Sequence, residues 1–76
     1  MKLKPVSPEK LIKVLEKLGY KSARQKGSHL IMENSETKKI TVIPMHKRDI
    51  GKGLLRQIIK EIGIEREEFL KLLYES

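Results

Sequence analysis

Two apolar stripes at helical spacing bracket a middle segment of strand character: Leu11, Ile12, Val14, Leu15 and Leu18 on one side, Leu54, Leu55, Ile58, Ile59 and Ile62 on the other. Each stripe has to be buried. A chain of 76 residues has room for one small core in which to do it. The first stripe has clear ends. Ser7 is a helix N-cap, Pro8 suits the first helical position, Glu9 favours the positive end of the helix dipole, and Gly19 closes the helix as a left-handed cap. A helix is therefore predicted over 8–18. The second stripe follows Gly51-Lys52-Gly53 and stops at Gly63. A third, shorter helix is predicted from Glu65 to Tyr74, with Phe69, Leu70 and Leu73 inward and Glu65, Glu67 and Glu68 near its N-terminus.

Between the helices, Tyr20–Lys26 reads as a short polar edge strand, and Gly27 turns the chain. Ser28–Glu33 is a strand, Asn34-Ser35-Glu36-Thr37 a polar turn, and Lys39–Pro44 a β-branched strand ending at proline. The order helix–strand–strand–strand–helix–helix predicts an α+β sandwich. A three-stranded antiparallel meander carries the two main helices on one face and leaves the other open. Residues 1–76 form one domain, with no repeat or linker. Side-chain alternation sorts the strands by apolar content: Leu30 and Met32, with Ile40 and Val42, toward the helices; His29 and Ile31, with Thr41 and Ile43, on the open face.

The net charge of +7 is uneven: residues 1–60 hold 15 Lys/Arg and 5 Asp/Glu (net +10), residues 61–76 hold 2 and 5 (net −3). A body this basic implies a polyanionic partner such as nucleic acid; a merely solvated Lys-rich surface is the plainer alternative. No cysteine is present, so no disulfide or thiolate metal site is expected, and a reducing cytoplasm is compatible. The first residues lack the apolar run of a signal peptide, and no stretch approaches the roughly 18 apolar residues of a membrane span.

The candidate chemistry centres on Gly27-Ser28-His29. From Lys17 to Met32 the chain holds Lys17, Lys21, Arg24 and Lys26 and no acid. Imidazole is the side chain whose intrinsic pKa lies nearest neutrality, which suits proton transfer beside a phosphate. RNA carries its own nucleophile, the 2′-hydroxyl, so a minimal ribonuclease needs one base near that oxygen and cations around the phosphate. His29 is the candidate base, and Arg24 and Lys26 are the candidate phosphate ligands. Ser28 can donate to phosphate, although a Gly-Ser pair is common turn chemistry. No acid lies nearby to complete a serine triad. His46 and Lys47, in Pro44-Met45-His46-Lys47-Arg48, are further candidate phosphate contacts, with His46 alternatively a second acid/base group or a plain loop residue. Gly51-Lys52-Gly53 lacks P-loop spacing. His29, His46 and Asp49 are the one weak metal set, without clustered carboxylates or an HExxH pattern, so no metal or cofactor is expected.

In this order and spacing, the segments resemble the HicA-type toxins, the mRNA interferase half of a HicA/HicB toxin–antitoxin pair. The resemblance runs from Ser7 and Leu18-Gly19-Tyr20 through Arg24-Gln25-Lys26-Gly27-Ser28-His29 and Ile43-Pro44-Met45-His46. It continues to Ile50-Gly51-Lys52-Gly53-Leu54-Leu55, Ile58-Ile59-Lys60 and Gly63-Ile64. The chain departs from the family at Leu54, where a Thr is frequent, and at Glu65, where a Ser or Thr cap is common. The resemblance implies a double-stranded-RNA-binding-domain-like fold and metal-independent, ribosome-independent cleavage of mRNA, with His29 catalytic. It also implies a HicB-type antitoxin covering the active face, contact with DNA only through that complex, no membrane, and a cytoplasmic location. Two rivals stay open: a non-catalytic RNA-binding module of the same fold, and an interaction module held by an acidic protein.

Overall fold

A computed structural model describes residues 3–45 and 48–75. The chain folds as α1 (Pro8–Lys17), β1 (Lys21–Lys26), β2 (His29–Asn34), β3 (Lys39–Pro44), α2 (Lys52–Ile62) and α3 (Arg66–Tyr74). The strands form one antiparallel sheet in the order β1-β2-β3. The predicted α+β architecture is therefore the observed one. Ser7 caps α1, its hydroxyl accepting from the Lys10 amide at 3.2 Å.

One hydrophobic core joins the layers. Leu11, Val14 and Leu15 of α1 meet Leu30, Met32 and Ile43 of the sheet, Leu55 and Ile58 of α2, and Phe69 of α3. Leu3, Val6 and Ile50, which lie outside the predicted helices and strands, are also buried. Val6 and Ile50 exchange two backbone hydrogen bonds of 3.1 and 2.6 Å, an isolated antiparallel bridge that ties the segment before α1 to the segment before α2. Tyr20, read as the start of a polar edge strand, is 3% exposed and belongs to the core; β1 starts one residue later.

The face assignment of β3 is corrected. Leu30 pairs with Ile43 and Met32 with Thr41, while Ile31 pairs with Val42 and Glu33 with Ile40. Residues directly opposite one another share a face. Thr41 and Ile43 therefore point to the core, and Ile40 and Val42 to the open face, at 59% and 44% exposed. A one-residue difference in register exchanges the two faces of a strand, and here the β2–β3 turn decides it. Asn34 turns inward at the end of β2. Its Oδ1 accepts from the amides of Glu36 and Thr37 at 2.9 and 3.2 Å, and its Nδ2 donates to the Leu18 carbonyl at 3.1 Å. Lys38 adopts a left-handed φ of 63° and donates to the Asn34 carbonyl at 2.8 Å. That closure sets Asn34 opposite Lys39, and every later pair follows. Gly19, at φ 94°, lies against the same amide: a Cβ there would stand 3.2 Å from Asn34 Nδ2.

Candidate active site on the open sheet face

The β1–β2 hairpin has a two-residue loop, Gly27-Ser28, between the paired Lys26 and His29. Gly27 takes a φ of 61° and Ser28 does not take a positive φ, the pattern of a type II′ turn that requires glycine first. The loop is tied at two points. Gln25 Nε2 donates to the Gly27 carbonyl at 3.1 Å, and the Met45 amide donates to the Ser28 carbonyl at 2.6 Å. His29 is thus held as the first residue of a central strand, directly after a tied turn.

A register shift between Ser22 and Arg24 determines what surrounds it. Lys21 pairs with Glu33 before the shift, and Arg24 with Ile31 and Lys26 with His29 after it. With regular alternation Lys21 would share a face with Ala23 and Gln25. The extra residue instead brings Lys21, Arg24 and Lys26 onto the face that carries His29. On the His29 side the register gives three rows: Lys26, His29 and Pro44, the proline buried; Arg24, Ile31 and Val42; Lys21, Glu33 and Ile40. Cations form a column on β1, and Ile40 and Val42 form an apolar strip on β3. The single acid, Glu33, lies in the row farthest from His29, so positive charge concentrates at the histidine end.

Of the predicted site residues, Arg24, Lys26, Ser28 and His29 come together at one end of this face. His29, Arg24 and Lys26 are exposed, and Ser28 is half-buried. His46 and Lys47 lie outside the described residues, and with His46 the weak metal set. Among the described residues, no three His, Asp or Glu side chains gather as a metal site. A groove of about 470 Å³ between the segment before α1 and α3, lined by Lys4, Lys10, Asp49 and Tyr74 among others, includes none of His29, Arg24 and Lys26. Sequence reasoning missed Lys21 as a member of the cation column, because nothing in Lys21-Ser22-Ala23-Arg24 announces a bulge. It also missed the apolar strip, which follows from the register of β3.

Chemically, this is a surface able to hold an extended polyanion along β1 with an imidazole at one end. Among the described residues, no helix is long and apolar enough to cross a membrane. The family model described as the HicA toxin of bacterial toxin–antitoxin systems matches residues 8–64, which covers all three strands, α1 and α2. A comparison with curated proteins found no match.

Proposed function

The chain belongs to the HicA toxin family and is a toxin of a toxin–antitoxin system, and from that premise we propose that it is a metal-independent endoribonuclease that cleaves mRNA. The observation that carries the proposal is the end row of the open face, where His29 stands exposed opposite Lys26 with Arg24 in the next row. In the reaction, His29 takes the proton of a ribose 2′-hydroxyl. The oxygen attacks the neighbouring phosphorus, the bond to the 5′-oxygen breaks, and the leaving oxygen takes a proton. The products are a 2′,3′-cyclic phosphate and a 5′-hydroxyl. Lys26 and Arg24 neutralise the phosphate as charge builds on it, and Ser28, His46 and Lys47 are assigned as further phosphate contacts. Because the substrate supplies the nucleophile, no metal-bound water is required.

The toxin's partner is assigned as an acidic HicB-type antitoxin that covers this face. DNA is reached only through that complex, and the protein acts in the cytoplasm. The test uses end-labelled single-stranded RNA in EDTA with wild type and His29→Ala. Cleavage by wild type alone, leaving cyclic-phosphate ends, is expected. Equal cleavage by both would remove His29 from the mechanism. No cleavage by either, with salt-sensitive binding by both, would favour the non-catalytic RNA-binding module.

A further inference from the structure

The apolar strip beside the cation column has no role in the chemistry proposed above. Ile40 and Val42 are among the most exposed large apolar side chains of the described residues, and both stand on the open face with half-buried Ile31 between Val42 and Arg24. Crossing the sheet, each of two successive rows goes from cation to apolar side chain: Arg24, Ile31, Val42, then Lys21, Glu33, Ile40. Neighbouring strands lie roughly 4.8 Å apart and successive rows on one face roughly 6.7 Å apart. The strip therefore lies about one base's reach from the column.

We propose that this face binds a single RNA strand lengthwise, its phosphates along Lys26, Arg24 and Lys21 and its unpaired bases laid across Ile31, Val42 and Ile40. This rests on the nuclease reading for its substrate and adds to it the strand state and the placement of the nucleotides beside the scissile phosphate. The charge of the column matches a phosphate backbone, and the strip matches what only an unpaired strand offers. A duplex turns its base faces inward and presents ribose and phosphate, which would lose water against Ile40 and Val42 without gaining a hydrogen bond. An unpaired base has an apolar face that covers them. Glu33 opposes phosphate at the far row, so the backbone is held most firmly by Arg24 and Lys26, next to His29. The enzyme would thus select unpaired stretches of its RNA, although its fold is one associated with duplex binding.

Binding is measured with a fully 2′-O-methylated single strand, which lacks the nucleophile, with its duplex, and with an abasic strand of the same length. The proteins are wild type and the double substitution Ile40→Thr with Val42→Thr, which keeps β-branching at exposed positions. Wild type should bind the base-bearing single strand roughly tenfold more tightly than the abasic one, and the double substitution should erase most of that difference. The salt dependence, set by the cations, should not change. Equal affinity of wild type for abasic and base-bearing strands would overturn the proposal, as would a duplex bound as tightly as the single strand, or a preference that survives the double substitution. Cleavage of unmodified RNA is scored separately. If binding follows the expectation without cleavage, the nuclease reading alone fails; if cleavage occurs without base-dependent binding, this inference alone fails.

Discussion

Replacing Thr41 with valine should stabilise the protein, and it tests the register on which the open face depends. Thr41 is 2% exposed and faces Met32 across the ladder. Its Oγ1 is buried without a hydrogen-bond partner among the described residues. An unpaired buried hydroxyl costs about 1–3 kcal/mol relative to water, and putting a methyl group in its place adds about 0.8 kcal/mol of apolar burial. The two contributions overlap, so the net gain should be about 1.5–2 kcal/mol. For a domain of this size, that raises Tm by roughly 6–16 °C. Urea unfolding followed by circular dichroism should show a higher midpoint with an unchanged m value. The companion substitution Val42→Thr, at a position 44% exposed, should change stability by less than about 0.5 kcal/mol. In the opposite register the effects reverse: Thr41→Val would be nearly neutral, and Val42→Thr would bury a hydroxyl and cost about 1–3 kcal/mol. That reversal would refute the assignment of faces, and with it the row structure of the site.

Removing the imidazole in His29→Ala should lower the cleavage rate by about 10²- to 10⁴-fold while RNA binding persists, and expression of this variant should permit growth that wild type arrests. Lys26→Ala should weaken binding to all RNA sequences alike and reduce the slope of log affinity against log salt by roughly 0.7, measured by titration at several ionic strengths. Asn34→Ala removes three hydrogen bonds from a buried side chain; it should cost about 2–3 kcal/mol in urea unfolding. Burial pushes the Tyr20 phenol above its ordinary 10.0, with Glu61 adding to the shift and a hydrogen bond with Thr37 opposing it. Its folded pKa thus exceeds the unfolded one, so its contribution is fully present below pH 10 and is lost as pH rises through the folded value. Tyr20→Phe should flatten that alkaline loss of stability, read as Tm against pH.

The site has a simple physical logic. A small domain cannot enclose a large substrate cavity, so the chemistry proposed for it has to sit on a surface. The sheet offers one, because the helices cover only one of its faces and every residue of β1 is exposed. A tied two-residue turn gives His29 a defined position there. A single bulge gathers three cations from one short strand onto the same side. Neither device needs many residues.

Much of this was legible in the chain itself. The helices follow from local signals that act within a few residues: Ser7-Pro8 at one end, Gly19 and Gly63 at others, and apolar stripes at helical spacing between them. The strands follow from β-branching and from turn glycine. Gly27-Ser28-His29 with Arg24 and Lys26 stands out by charge and side-chain chemistry alone. What local signals could not decide is which side of each strand faces the core. In β3, Ile40 with Val42 and Thr41 with Ile43 are both acceptable inner sets by composition, and apolar content favoured the wrong one. The choice was made by the Asn34 turn, whose side chain reaches back to Leu18, 16 residues earlier in the chain. In β1 the grouping of Lys21 with Arg24 and Lys26 depends on a bulge that exists only against a paired β2. Val6 and Ile50 enter the core through a bridge across more than forty residues. Helix formation is decided by neighbours in sequence, whereas sheet register and face are decided by partners distant in sequence, and the candidate site is built on the sheet.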